Sequence, residues 1–310
     1  GPLVDALNAS GGKIRYTGTS GFPPLLIEGV LSGGDIVVDG SISSQFISSL
    51  LIVAPYAQKD TRIILTGGIV SEPYIRITTS MMEIFGVSPV RSEPGTWSIQ
   101  SGMGYRPTDY TVEGDYSSAS YWFGMAAITG GEITVEGLNT RSLQGDRKML
   151  DILREMGCRV AMKESEGLTQ SGEITVSRSG PLTGVDIDMS DCPDIVQTVA
   201  MVAAIAQSPT RITGIHHLRE KESDRVAAIV QGLESMGLRV QARWDEIIIH
   251  PGTVSGGIIN PARDHRTAMC FAMLGSGVGD VTILEGKCVS KSYPEFWEVF
   301  REVWSTGGSC

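Results

Sequence analysis

The chain has 310 residues and a net charge of −10, which at roughly 150 residues per domain gives material for about two domains. With 41% hydrophobic and 19% charged residues it reads as a packed globular protein, which excludes a disordered or coiled-coil chain. The acidic balance repels nucleic acid and anionic lipid, so any anionic ligand needs a local cluster of cations.

In chain order, a helix-like segment running into a strand opens the sequence at residues 3–14 (LVDALNASGGKI). A strand, a polar turn and a small-residue apolar helix follow at 37–55 (VVDGSISSQFISSLLIVAP), and an alternating strand at 62–67 (RIILTG). The first pattern returns at 77–89 (ITTSMMEIFGVSP), and the second at 111–128 (TVEGDYSSASYWFGMAAI). The strand EITVEG at 132–137, the helix MLDILREMGCRV at 149–160 and the strand EITVSR at 173–178 come next. Further copies are IDMSDCPDIVQTVAMVAAI (187–205), IVQGLESMGLRV (229–240), the strand EIIIHPG (246–252) and INPARDHRTAMCFAMLGS (259–276). The final helix is PEFWEVFREVW at 294–304.

These segments form a repeat. Gly12, Gly86, Gly157 and Gly237 sit where helix C-caps belong and are 74, 71 and 80 residues apart. Ser44, Ser118, Asp194 and Asp264, near the helix starts of the second pattern, are spaced by 74, 76 and 70. Each unit of about 75 residues therefore reads as β-α-β-α followed by β-strands, a mixed α/β (α+β) fold. The chain begins at Gly1 inside the second helix of a unit and stops after another such helix. The expectation is a fragment lacking an N-terminal portion, or a chain whose missing strands a partner supplies, since open sheet edges are liabilities.

Cys158, Cys192, Cys270, Cys288 and Cys310 are scattered singly, with no C-x-x-C spacing. That argues against a zinc site and a disulfide framework and points to a reducing, cytoplasmic location. Neither an apolar run of about 18 residues nor a signal region is present, so no membrane association is expected.

The densest charge lies at 211–229 (RITGIHHLREKESDRVAAI), where Arg219, Lys221 and Arg225 alternate with Glu220, Glu222 and Asp224 ahead of a helix. Two readings are open: a solvated helix start, or part of an anion site. Arg263 and Arg266 at a second helix start, and Lys291 ahead of the last helix, favour the anion site, because orphan N–H groups, the helix dipole and cationic side chains act together. Ser43, Ser44 and Gln45 add neutral donors, with a plain N-cap pair as the alternative. Asp194 and Glu222 are candidates for proton transfer, although an Asp at a helix start is commonly a cap. His216, His217 and His265 lack the H-x-x-x-H spacing of a metal site, and no P-loop or G-x-S-x-G is present.

The ordered set SISSQF, SEPYI, VEGDYSSASY, CPD, REKESDR, ARDHRTAMCF and CVSKSYP resembles the 5-enolpyruvylshikimate-3-phosphate synthases (3-phosphoshikimate 1-carboxyvinyltransferases), along the whole chain from GPLVDAL. The resemblance implies the two-lobed enolpyruvyl transferase fold (alpha-beta prism) of six β-α-β-α-β-β units, incomplete here at the N-terminus. Residues 1–112 would be the remaining half of one lobe and 113–310 most of the other, with the active site in the cleft between them. It also implies transfer of the carboxyvinyl group of phosphoenolpyruvate to the 5-hydroxyl of shikimate 3-phosphate, with release of phosphate, in the shikimate pathway and without metal or cofactor. Residue by residue, Ser43 and Ser44 would hold the shikimate phosphate, Gln45 would reach both substrates, and Ser71 and Tyr74 would line the shikimate pocket. Asp194 would take the 5-hydroxyl proton, Lys221 would bind shikimate, and Glu222 would handle the methylene proton. Arg225, Arg266 and Lys291 would clamp phosphoenolpyruvate.

Two departures stand out. His217 occupies a position where the family often has an Asn touching shikimate. The family's Lys-Ser pair, a further Arg, a Gly-Thr loop and an R-P-x-x-x-L segment belong upstream of GPLVDAL. The expectation is a chain with the family's identity and little or no activity alone. The alternatives are an enolpyruvyl transferase for another acceptor, such as UDP-N-acetylglucosamine, and a non-catalytic subunit that needs a complementary N-terminal segment.

Overall fold

The computed structural model describes residues 1–164 and 171–307; Cys310 lies outside the described residues. Its contacts divide the chain into two units, Gly1–Tyr110 with Leu143–Gly145, and Thr111–Ser142 with Asp146–Cys310.

In the first unit, α1 (Pro2–Ala9) leads to an antiparallel pair, β1 (Lys13–Tyr16) and β2 (Leu25–Glu28). Then follow β3 (Gly34–Asp39), α2 (Ser44–Val53), β4 (Thr61–Thr66), α3 (Glu72–Ile84), β5 (Val90–Glu93) and β6 (Thr96–Ile99). The sheet order is β3-β4-β6-β5, with β3 and β4 parallel and the other pairs antiparallel. The inward residues of β3 and β4, Ile36, Val38 and Ile63, meet Ile47, Leu50 and Leu51 of α2 and Ile75 and Met82 of α3. The two helices are also joined by a 2.8 Å hydrogen bond between the Ser48 and Thr78 hydroxyls.

The second unit contains α4 (Tyr116–Thr129), β7 (Glu132–Asn139), α5 (Met149–Glu155), β8 (Arg159–Glu164) and β9 (Ser171–Ser177). It continues through β10 (Asp186–Asp188), α6 (Val196–Ala203), β11 (Thr210–Thr213), α7 (Arg225–Ser235), β12 (Val240–Ala242) and β13 (Glu246–Ile249). It ends with β14 (Gly257–Ile259), α8 (His265–Val278), β15 (Val281–Ile283) and α9 (Phe296–Gly307). The order β10-β11-β13-β12, again with one parallel and two antiparallel pairs, repeats that of the first unit. Among the described residues β14 and β15 form a parallel pair, and β7-β9-β8 an antiparallel sheet.

The β-α-β-α-β-β expectation is therefore met by two full sheets and by partial copies. No strand forms at 111–114, where the Gly114 N–H donates to Gly137 O of β7 at 3.0 Å.

Local chemistry fixes the copies in register. The helices α1, α3, α5 and α7 end in one hydrogen-bonded motif, in which the amides of Gly12, Val87, Cys158 and Leu238 donate to the carbonyls five residues back. The residue before each donor is a glycine with φ between 89° and 104°: Gly11, Gly86, Gly157 and Gly237. This is a left-handed position that a side chain would strain. In the first copy the cap is Gly11, one residue before the expected Gly12. The turns after the first strands repeat as well: Asp39, Asp188 and Asn260 accept the backbone N–H two residues on, at 2.9–3.0 Å. The capping residues are Ser43, Asp115 and Asp264, so Ser44, Ser118 and Asp194 are not the caps their spacing suggested.

In the second unit α4, α6 and α8 pack on one another and are buried on nearly every face. Helices apolar all round belong at the centre of a core. Small polar residues link them: the Ser120 and Thr198 hydroxyls lie 3.0 Å apart, and Gln197 Nε2 donates to Thr267 Oγ1 at 2.7 Å. Cys192 and Cys270 are sealed in this core, and burial pushes the Cys270 thiol up to about 12. No described helix is long and apolar enough to cross a membrane.

Close packing of α7 on α8 depends on Gly232, where a Cβ would fall within the ring of the buried Phe271, 2.7 Å from its Cε1. Gly232→Ala is expected to lower stability by about 1–2 kcal/mol, because overpacking outweighs a helix-propensity gain of about 1 kcal/mol. Denaturant unfolding checks this, and Phe271→Leu in the same chain should relieve the loss.

Candidate functional site

In the first unit, parallel pairing brings the carboxyl ends of β3 and β4 side by side, so the turns into α2 and α3 are neighbours. Backbone bonds tie them: Gly40 N–H donates to Thr66 O at 2.9 Å and Val70 N–H to Gly40 O at 3.3 Å. Ser43 caps α2 by accepting the Gln45 N–H at 3.2 Å, with Ser44 buried and Gln45 exposed. Ser71, buried in the left-handed conformation at φ 57°, precedes α3, and Tyr74 lies in that helix's first turn. A non-glycine residue held there stores backbone strain, a condition common at ligand sites. The five residues expected in this unit thus gather at one end of one sheet, where two helix N-termini favour an anion.

In the second unit the organising group is Arg225, the first residue of α7 and 1% exposed. Its Nε donates to Asp264 Oδ2 at 2.9 Å, its Nη1 to Asp194 Oδ1 at 3.1 Å and its Nη2 to Glu222 Oε2 at 2.7 Å. A guanidinium taken out of water needs such compensation on every edge. Asp264 is fully buried; its other oxygen accepts the Arg266 N–H at 2.9 Å as the cap of α8, and Ser223 Oγ also donates to Oδ2 at 3.0 Å.

Arg266 Nη2 lies 3.0 Å from Asp194 Oδ2, and its Nη1 reaches Tyr121 Oη at 3.4 Å. Lys291 Nζ, at the end of a 3-10 turn before α9, lies 2.5 Å from Glu222 Oε1. Three cations and three carboxylates from five segments therefore alternate around one point. The Glu222 carboxyl is pushed up by burial but pulled down more strongly by the Lys291 bond, its own backbone and the Arg225 charge, and sits at about 2.

His217 is buried in the 3-10 turn His216–Glu220. Neither ring nitrogen has a hydrogen-bond partner among the described residues. Burial first, then the Lys221 and His216 charges, press its pKa down to about 4, so the ring is neutral at pH 7. His216 is tied instead to Asp245, through its backbone N–H at 2.8 Å and ring Nδ1 at 2.9 Å. Lys221 is exposed.

Some readings need correction. The charge run is not simply a solvated helix start, since Arg225 is among the most buried side chains in the chain. Asp194 caps no helix; it lies in the 3-10 turn Pro193–Ile195 and faces two arginines. Arg263 stays outside the cluster, 88% exposed and 3.9 Å from Glu285. Asp264 and Tyr121 escaped sequence reasoning as site residues. For Asp264 the signal was present in its position within the R-D-H-R turn, and for Tyr121 only in its place at the end of the VEGDYSSASY motif.

The chain is similar to proteins of one family. The family model for EPSP synthase (3-phosphoshikimate 1-carboxyvinyltransferase) matches residues 1–300. The 3-phosphoshikimate 1-carboxyvinyltransferase of Methanospirillum hungatei is 53% identical over 315 residues, covering 100% of this chain and 72% of the relative. That of Methanosphaerula palustris is 50% identical over 297 residues, covering 96% and 68%. An EPSP synthase structure from Acinetobacter baumannii superposes with a TM-score of 0.79 at 27% identity, covering 97% of this chain and 69% of that one.

Asp264→Ala leaves the buried Arg225 short of its one fully buried counter-charge and should cost about 3–5 kcal/mol, read from denaturant unfolding. His217 has a pKa below its unfolded value of 6.5, so the unfolded chain binds its proton first and stability falls as pH drops from 6.5 towards 4. His217→Asn should flatten that part of the stability profile, measured by thermal unfolding across the range.

Proposed function

The chain belongs to the EPSP synthase (3-phosphoshikimate 1-carboxyvinyltransferase) family of shikimate-pathway transferases, and from that membership we propose that it moves the carboxyvinyl group of phosphoenolpyruvate to the 5-hydroxyl of shikimate 3-phosphate. The observation that carries the reading is the alternation of Arg225, Arg266 and Lys291 with Asp194, Glu222 and Asp264.

Phosphoenolpyruvate brings a carboxylate and a phosphate, and planar guanidinium forks with an ammonium are matched to both. Ser43 and Ser44 take the phosphate of shikimate 3-phosphate, Gln45 reaches both substrates, and Ser71, Tyr74, Lys221 and His217 bind the shikimate ring. A neutral imidazole offers one donor and one acceptor, as an Asn amide would, which suits a sugar-like hydroxyl.

Addition requires that the 5-hydroxyl oxygen bond to C2 of phosphoenolpyruvate while its proton leaves and C3 gains one. Asp194 accepts the first proton, and Glu222 delivers the second and later removes one from C3 as the C2–O bond to phosphate breaks. The oxocarbenium-like C2 between these steps is stabilised by the neighbouring carboxylates, and the departing phosphate by Lys291 and the arginines.

Phosphate release from the two substrates, assayed with the 310-residue chain alone and with the upstream segment of a relative added, tests the reading. Release in either arm supports it; none in either, or preference for UDP-N-acetylglucosamine as acceptor, overturns it. Asp194→Asn should lower kcat by about 10²–10⁴-fold, the usual contribution of a general base, with a smaller change in KM.

A further inference from the structure

Each cation of the proposed phosphoenolpyruvate clamp is already engaged by a carboxylate of the chain itself. Lys291 is held by Glu222 at 2.5 Å, Arg225 by Glu222, Asp194 and Asp264 at 2.7–3.1 Å, and Arg266 by Asp194 at 3.0 Å. Three positive and three negative side chains leave the cluster without net charge, and an incoming anion finds no uncommitted cation among them.

The five ion pairs are not equivalent. Asp264 is fully buried, on an arginine whose side chain is 2% exposed, and it also caps α8, so breaking that pair strands a buried charge. Glu222 is the other extreme: its side chain is 37% exposed and its two partners are Lys291, 55% exposed, and the outer Nη2 of Arg225. Partly solvated pairs exchange at little cost. Glu222 is therefore the carboxylate that an anion displaces.

Glu222 also presents a chemical conflict. Its proposed role begins with a proton on its carboxyl, yet Lys291 and Arg225 hold it at about 2. The groups facing it are Lys291 from the turn before α9, Arg225 from α7 and His265 from α8, with Asp264 behind Arg225. The Lys291 bond, a backbone hydrogen bond and the Arg225 charge lower its proton affinity, and both cations are assigned to the substrate.

We propose that Glu222 is a resident stand-in for the substrate anion, so that phosphoenolpyruvate takes over Lys291 and the outer edge of Arg225, and the displaced Glu222 takes up a proton from solvent and becomes the acid that protonates C3. The inference rests on the family-based reading of this cluster and adds how it is loaded. Binding and protonation are then one linked event: the anion arrives, a solvent proton binds Glu222, and the Glu222 O–H bond breaks as the C3–H bond forms. The uncharged resting cluster also avoids the self-repulsion of three unpaired cations.

The test is calorimetric titration of phosphoenolpyruvate into the chain with shikimate 3-phosphate present, at pH 7, in two buffers of different ionisation enthalpy. Uptake of about one proton per phosphoenolpyruvate is expected. Glu222→Gln should abolish the uptake and bind phosphoenolpyruvate more tightly, by up to about 5-fold, because the internal competitor is gone; Lys291→Met should weaken binding. Binding without proton uptake, uptake that persists in Glu222→Gln, or weaker binding by that variant would overturn the inference while leaving the clamp in place. Failure of both the parent chain and Glu222→Gln to bind phosphoenolpyruvate would overturn the clamp assignment and the inference with it.

Discussion

A guanidinium almost without solvent is the constraint on which the second unit is arranged. Arg225 has donors on three edges, and each must meet an acceptor or the burial is prohibitive. Satisfying them brings together the turn after β10, the loop before α7 and the turn before α8, which supply Asp194, Glu222 and Asp264. Because Asp264 also caps α8, helix start and ion cluster stabilise each other. The cluster is thus built into the fold, since the elements that form the core also end at Arg225.

The repeat makes this convergence possible. Each unit sends a helix out from the carboxyl end of its first parallel strand, and the Asx turns at Asp39, Asp188 and Asn260 set that exit in the same geometry. In the second unit the inner helices α4, α6 and α8 then pack directly against one another, so their starts are neighbours. Small residues and hydroxyls on these helices allow the close approach, and Ser120, Thr198 and Gln197 find partners across the interface. Polar groups buried in pairs fix helix register more sharply than apolar contacts alone.

An acidic chain that handles anions has to solve a problem of local charge. With a net charge of −10 the long-range field opposes an anionic ligand, and the binding free energy must come from contacts at the site. Alternating charges meet this by keeping the cations preorganised while their net field is small. The Glu222 arm is the more solvated part of the cluster and the Asp264 arm the rigid part.

The sequence by itself determined the architecture and most of the chemical groups. Helix C-caps and turns are local, so the glycines at 86, 157 and 237, the polar helix starts and the alternating strands were legible, and with them the repeat of about 75 residues. The family motifs named the candidates Ser43, Ser44, Arg225, Arg266 and Lys291. What only the tertiary structure decided is who neutralises whom. Arg225 and Asp264 are 39 residues apart and Lys291 and Glu222 are 69 apart, distances over which no local pattern speaks. Asp264 therefore read as an ordinary turn residue, and neither the burial of the His217 ring nor the pairing of Glu222 with Lys291 was visible. Protonation and pairing depend on burial and on charges brought within a few ångströms, and those are properties of packing between distant segments, which the order of residues does not display.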